Sequence, residues 1–388
     1  MVPFLFASRH WRLCLLGSIL SCAACTALPS LHGRDVSRAY TDTQGTALGK
    51  VLEPLMAAHP GRSAVYPLLD ARDAFAARAH LAQVAERSLD IQYYIRQKDL
   101  TGTLLFDMLG AAAGEASVLA GLAAGRQAMM QQEAADAYPR SLRDSPFVQE
   151  LMVARLQLEW APTRMVSDDP AKGLGRASQL SLVKEMLKTV VGEPSSRISL
   201  VSPYFVPSAE AVDMFGSWAE QGMRVEILTN SLEATDVAAV HAGYVKRRRD
   251  LLEAGVALLE LRRTAPGIRV ERDGIGSSSG SSLHAKTFAV DDARVFIGSF
   301  NFDPRSATLN TEMGFVIDSP ALARRVHGAF DQRVPEDAYR VLLAGDGSLA
   351  WEERKESGTI RHQTEPGTTA WQRFMVWLLS LLPIDGLL

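Results

Sequence analysis

One spacing constrains this chain more than any other. Between Ser282 and Glu312 runs H-x-K-x4-D-x6-G-S-x-N, filled by His284, Lys286, Asp291, Gly298, Ser299 and Asn301. Each residue type suits phosphoryl chemistry. Imidazole titrates near neutral pH, so His284 is a candidate nucleophile or general acid. Lys286 is a point charge for a phosphate oxygen. Ser299 and Asn301 offer neutral donors to the same oxygens. Glu312, further along, is placed to hold the imidazole in one tautomer.

Local patterning fits that use. Alternation from Lys286 to Val290 predicts a strand, Asp291 to Ala293 a turn, and Arg294 to Ile297 the returning strand. On a strand, positions i and i+2 share a face, so His284 and Lys286 point the same way, as do Ser299 and Asn301 at the end of the partner. A hairpin then gathers all four around one point. The run from Gly274 to Ser282 is rich in Gly and Ser, a candidate mobile lip.

This pattern resembles the HKD motif of the phospholipase D superfamily. The resemblance implies an α/β fold with a mixed sheet flanked by helices. It also implies that the motif His forms a phosphohistidine or protonates the leaving group, that Lys and Asn bind the phosphoryl group, and that no metal or other cofactor is needed. Carried over, His284 is nucleophile or acid, and Lys286 and Asn301 bind phosphate. Ser299 supports the site, Glu312 orients His284, and Asp291 is a motif member with a more structural role.

With 388 residues, the chain is long enough for a large core and two lobes. A net charge of −3 gives no general basic field for nucleic acid. The three cysteines, Cys14, Cys22 and Cys25, all lie near the N-terminus, so the body holds no cysteine zinc site or disulfide framework.

Residues 1–25 read as an export signal: Arg9, His10 and Arg12 form a basic flank, Leu13 to Leu20 an apolar run, and Ser21 to Cys25 a small-residue stretch. Both Cys22 and Cys25 resemble the cysteine of a bacterial lipobox. Cys25, beside small residues, is the preferred lipidation site, and Cys22 the alternative. A plain signal anchor is the competing reading. The apolar run is short for a mature span. An acyl anchor would keep an exported protein at a bacterial membrane face.

Asp70 to Ser88 predicts a helix with Phe75, Ala79, Ala82 and Ala85 on its buried side, Leu89 to Ile95 a strand, and Leu100 to Leu109 a helical pattern. This order recurs later and runs further. Arg197–Val206, Met223–Thr229 and Val256–Leu261 predict strands alternating with helices over Ser208–Gln221 and Val237–Ala254. The first half stops after Leu109, where the Ala-rich segment Gly110–Tyr138 follows.

ERSLDIQYYI, LTGTLL, LEWAPTRMVSDDPAKGLG, SPYFVPS, LTNSLEATDVAAVHAGY and the motif region are together similar to bacterial cardiolipin synthases of the superfamily, from about Thr43 to the C-terminus. Members carry two HKD motifs, one per lobe, across a pseudo-twofold axis; this chain has the second alone. The first belongs between about Leu109 and Ser117, a junction that reads as an internal deletion. Arg96 stands where the family more often has an aromatic.

The implied activity is a phospholipase or phosphatidyltransferase on phosphatidylglycerol-type lipids. Phosphodiester transfer wants one His to attack and another to protonate the leaving oxygen. A homodimer, as in single-motif members, would supply both. The rival readings are an inactive membrane lipoprotein and a homodimeric single-motif nuclease.

The expected organisation is a signal and lipobox over 1–25, a truncated first lobe over 43–137, and a connector over 138–175. An intact lobe follows over 176–345, with its motif near 279–306, and then a C-terminal tail over 346–388. In the connector, Asp168 and Asp169 read as a solvated turn or helix cap before a metal site, and Lys172 with Gly173 and Gly175 is a weak phosphate candidate. His241 and Tyr244 share a helix face, lining the pocket or packing. Lys246 to Arg249 reads as a solvated basic face or a contact for anionic lipid. With no aromatics interleaved, nucleic acid is the less expected partner. Trp371 to Leu382 is short for a span and suits the headgroup zone or docking on the body.

Overall fold

The computed structural model describes residues 40–91, 100–113, 146–152, 155–263 and 283–383. Thr43–Leu388 is one compact unit, and every element below lies in it. The expected export signal, the strand residues after Ile91, Arg96, the Ala-rich segment past Ala113 and the Gly/Ser run before Leu283 lie outside the described residues.

The first part is sparse. Helix α1 (Ala47–Ala58) leads to strand β1 (Ser63–Val65), followed by α2 (Ala71–Val84), α3 (Leu100–Ala113) and α4 (Pro146–Met152). Asp70 caps α2 by accepting the Arg72 N–H at 2.8 Å. Phe75, Ala79 and Ala82 are buried as their spacing predicts, and Phe75 and Ala79 pack with Leu105 of α3. Ala85 instead ends the helix in an extended conformation and is half-buried. Among the described residues, β1 pairs only with β2 (Glu159–Ala161), in a two-stranded antiparallel sheet.

The rest is organised on a ten-stranded sheet. Its strands are β3 (Thr163–Ser167), β4 (Arg197–Val201), β5 (Arg224–Asn230), β6 (Ala257–Leu261), β7 (Lys286–Val290), β8 (Arg294–Gly298), β9 (Met313–Ile317), β10 (Ala338–Leu343), β11 (Leu349–Lys355) and β12 (Gly358–His362). The spatial order is β12-β11-β10-β6-β5-β4-β7-β8-β9-β3. Strands β4, β5 and β6 are parallel, and every other pair is antiparallel. Helices α6 (Ala209–Glu220) and α7 (Ala238–Glu253) make the two crossovers.

Side chains alternate across the central strands. Val225 and Ile227 of β5 join one core with Val183 and Leu187 of α5 (Val183–Val191), Phe215 of α6, and Tyr244 and Leu251 of α7. Leu228 faces the other way, into a core with Phe330 of α9 (Pro320–Gln332) and Val334 of α10 (Val334–Asp337). Because both faces are covered, β5 is buried from Val225 to Asn230.

The region after residue 345 is no appended tail. β10 and β11 pair through a turn closed by Ala344 N–H donating to the Ser348 carbonyl at 2.7 Å, and β12 extends the sheet. Helix α11 (Ala370–Ser380) then docks on α7 through Val376 and Leu379. Among the described residues no helix is long and apolar enough to cross a membrane.

Candidate active site

The ends of five neighbouring strands meet at one edge of the sheet. β4 and β5 finish there at Val201 and Asn230, β8 finishes at Gly298, and β7 and β9 begin there at Lys286 and Met313. The predicted hairpin is present, with Lys286 opposite Gly298 and Gly298 opposite Gly314. That glycine pair permits a close approach. A methyl group on Gly298 would stand 2.5 Å from the Met313 carbonyl oxygen and 2.6 Å from the Phe296 ring.

His284 lies just ahead of β7 and is exposed, whereas Lys286 is 9% exposed. The shared-face argument therefore stops short of His284, which is not part of the strand. The Lys286 ammonium reaches back to the His284 carbonyl at 2.9 Å. Burial pushes Lys286 down to about 8, against the pull of Glu312, Asp303 and Asp236. Burial also lowers His284, as does the Lys286 charge, while Asp236 opposes them.

Ser299 and Glu312 are joined directly: the hydroxyl donates to Glu312 Oε2 at 2.5 Å, and the Met313 N–H donates to the same hydroxyl at 3.0 Å. Glu312, expected to orient His284, is held here by Ser299. Among the described residues no hydrogen bond links it to the imidazole; it orients Ser299 and draws on the charge of Lys286. Asp236 is the acid whose field reaches His284, and the Tyr204 hydroxyl holds it at 3.0 Å. Asn301 is buried, and its Oδ1 accepts no hydrogen bond from the described residues, so the carboxamide has capacity unused. Asp303 caps α8 (Pro304–Thr308) by accepting the Ser306 N–H at 2.6 Å, and burial pushes its carboxyl up.

Asp291 is not brought to this point. It turns β7 into β8 at the far edge of the sheet, with φ at 49°. Its carboxylate accepts the backbone N–H groups of Ser195, Ser196 and Arg197 and both serine hydroxyls, at 2.8 to 3.1 Å. Grouping it with the catalytic residues is corrected on that geometry: it ties the hairpin to the start of β4.

The connector supplies a brace. Asp168 is buried and accepts from Lys172 Nζ at 2.6 Å, from the Val183 N–H at 2.7 Å and from the Glu312 N–H at 2.8 Å. Lys172 also donates to the Ser306 carbonyl at 2.6 Å. These two residues are therefore an internal strut, neither a solvated turn nor a phosphate contact. Asp169 does cap, accepting the Ala171 N–H. Among the described residues no group of three or more His, Cys, Asp or Glu is arranged to hold a metal.

His241 and Tyr244 resolve as packing. They join Arg248, Glu260, Glu365 and Trp351 in a buried polar network, in which Arg248 meets Glu365 at 2.8 Å and Glu260 at 3.2 Å. The basic run is accordingly not a uniform solvated face, since Arg248 points into the core.

A family model described as "Cardiolipin synthase, PLD-like domain" matches residues 187–334. Cardiolipin synthase C of Escherichia coli (strain K12) is 34% identical over 470 aligned positions, covering 88% of this chain and 99% of that protein. The chain belongs to the phospholipase D-like cardiolipin synthase family. By that resemblance it is a phosphodiesterase or phosphatidyltransferase. Because 88% of 388 residues is about 340, about 130 of the 470 aligned positions have no counterpart in this chain. Among solved structures, the phospholipase D family member Nuc from Salmonella typhimurium is 15% identical, covering 46% of this chain and 99% of its own, with a TM-score of 0.34. Phosphatidylserine synthase of Haemophilus influenzae Rd KW20 is 14% identical, covering 58% and 48%, with a TM-score of 0.36.

Three residues at this edge escaped the sequence reading. Asp236 lies in LTNSLEATD and Tyr204 in SPYFVPS, both among the family-like stretches, but nothing local marks their side chains as turned to the motif. Asn230 is the third; its carboxamide holds the main chain of Leu283, beside His284.

Proposed function

We propose that this chain carries one half of a phospholipase D-type site for phosphatidyl transfer on phosphatidylglycerol-type lipids. The observation that carries the reading is the convergence of His284, Lys286, Ser299 and Asn301 on one sheet edge, in a chain aligned with nearly the whole of a cardiolipin synthase. In the proposed cycle a neutral His284 nitrogen attacks phosphorus, and the P–O bond to the leaving alcohol breaks. A second imidazole gives that oxygen its proton. An acceptor hydroxyl then attacks the phosphohistidine and yields its proton to the same imidazole, and the P–N bond to His284 breaks. Water as acceptor leaves phosphatidic acid; a phosphatidylglycerol hydroxyl leaves cardiolipin. Lys286 and Asn301 hold the phosphoryl oxygens throughout, where one missing preorganised donor costs about 10²–10³ in rate.

The second imidazole comes, in this reading, from a second copy of the chain. In support, α9 covers Val295 and Ile317 on one face of the sheet. Beyond it Ile297, Phe315 and Met165, cross-strand neighbours on β8, β9 and β3, are 41–61% exposed. An apolar strip beside an incomplete site suits an isologous contact. The rival is an inactive lipoprotein remnant, favoured by the aligned positions this chain lacks. The same proposal has the protein exported and held at the membrane by an acyl chain on Cys25, or Cys22.

Labelled phosphatidylglycerol is the test. Cardiolipin or phosphatidic acid formed by the native chain, absent with His284→Ala and with a monomeric Phe315→Arg variant, supports the dimeric enzyme. No product above the His284→Ala control sinks it in favour of the remnant.

A further inference from the structure

Helix α11 has two apolar faces, and only one is used. Val376 and Leu379 pack against α7 and Leu232. On the opposite side Trp371, Phe374, Trp377, Leu378, Leu381 and Leu382 are 41–67% exposed. At 100° per residue the four in the helix and Leu381, which caps it, fall within an arc of about 120°, and Leu382 follows just past the end. The rings form a row, with centroids 5.6 Å apart from Trp371 to Phe374 and 5.8 Å from Phe374 to Trp377.

The helix carries Arg373 as its single charged residue, and the Lys246 ammonium donates to the Leu382 carbonyl at 2.8 Å at the end of the row. The position is also specific. Leu232, which α11 covers, follows directly on β5, whose last residue Asn230 holds the main chain next to His284. Helix α11 is therefore seated beside the end of the strand that holds the main chain next to His284.

We propose that the exposed face of α11 is a docking surface for an anionic lipid bilayer, lying in the headgroup zone and presenting the His284 edge to the membrane. Eleven residues make a helix about 16 Å long, too short to cross and suited to lying in the interface. Tryptophan, with an apolar body and a polar N–H, favours that zone. Arg373 and Lys246 complement anionic headgroups at its margin. The inference takes its substrate side from the proposed lipid chemistry, but the docking itself does not require turnover.

The test uses the full chain with Cys22→Ser and Cys25→Ser throughout, which removes any acyl anchor. Vesicles of phosphatidylcholine with phosphatidylglycerol, carrying brominated acyl chains, quench tryptophans that enter the interface. The expected result is quenching that disappears in Trp371→Phe/Trp377→Phe while vesicle binding persists. In Trp371→Ser/Trp377→Ser, affinity should fall at least ~10-fold at an unchanged thermal midpoint. Vesicle binding with no quenching lost in the Phe pair would overturn the proposal. So would a dimer that dissociates in the Ser pair, which would make the surface a contact between copies. His284→Ala separates the two readings: docking predicts undiminished quenching in that variant, and absence of turnover in the native chain would sink the enzyme reading alone.

Discussion

The Asn230 carboxamide grips Leu283 from both sides. Its Oδ1 accepts the Leu283 N–H at 3.0 Å, and its Nδ2 donates to the Leu283 carbonyl at 3.2 Å. A side chain fixed at the end of β5 thus sets the path of the chain one residue before His284. Asn230→Ala is expected to remove both hydrogen bonds from a half-buried segment, at a cost of about 1–3 kcal/mol. A displaced nucleophile lowers kcat, by up to about 10²-fold for a shift of an ångström, with KM nearly unchanged. Steady-state kinetics on labelled phosphatidylglycerol check this; a rise in KM at constant kcat would assign Asn230 to binding instead.

The pH response follows from two displaced groups. His284 titrates below its ordinary value of 6.5, and Lys286 at about 8 instead of 10.5. Attack needs one neutral His284 and leaving-group protonation needs the second copy's in its protonated form, so turnover rises as pH climbs toward the His284 value and starts to fall beyond it. Phosphate binding needs the ammonium, so turnover falls as pH climbs through about 8. Asp236 raises both groups. In Asp236→Asn each limb therefore moves to lower pH. A kcat/KM profile of the pair of proteins reads both limbs, and limbs that stay in place would show that Asp236 does not act on the site.

The motif hairpin and the βαβαβ run were legible in the sequence because each rests on short-range chemistry: alternation over β7 and β8, helical spacing over α6 and α7, and a turn at Asp291. The β10–β12 meander was not recognised, although Asp346-Gly347 and Ser357-Gly358 are turn signals. Gly347 has φ at 79° and Gly358 at 121°, and the strands between them pack Trp351 against a core built from distant segments. Partner assignments inside the site were harder still. That Glu312 takes Ser299 rather than the imidazole depends on how two strands are packed at residues thirteen positions apart, and that Asp168 braces Glu312 depends on a contact across 144 positions, neither of which a local pattern records.

Asp291 separates motif membership from chemistry. Burial works to raise its carboxyl, but the hydrogen bonds from Arg197, Ser196 and Ser195 hold it down to about 2. A depressed carboxylate contributes stability above its unfolded value near 3.8 and loses it as pH falls through about 2. For a partly solvated group this is about 1–2 kcal/mol after allowing for screening. Asp291→Asn is expected to lower the thermal midpoint at pH 7 and to converge on the native protein in acid, with kcat of the folded fraction unchanged. A kcat loss at full stability would return Asp291 to the catalytic set.

Glu365 ties the segment ahead of α11 to α7. Burial works to raise its carboxyl, and His241 and Arg248 hold it down to about 2. Arg248 is fully buried, so Glu365→Gln leaves its guanidinium with Glu260 as the remaining counter-charge. Breaking a buried pair costs about 3–5 kcal/mol, and the surviving partner puts this variant near the lower end. The sign again follows from depression: the native advantage is complete above the unfolded value near 4.5 and lost as pH falls through about 2. Thermal unfolding of both proteins at pH 7 and pH 3 should show the gap narrowing toward acid. Since α11 hangs from this segment, vesicle affinity should fall with it, while His284 and Lys286 keep their titrations. A variant as stable as the native chain, docking equally well, would mean that the Glu365–Arg248 pair holds nothing in place and that α11 is fixed by Val376 and Leu379 alone.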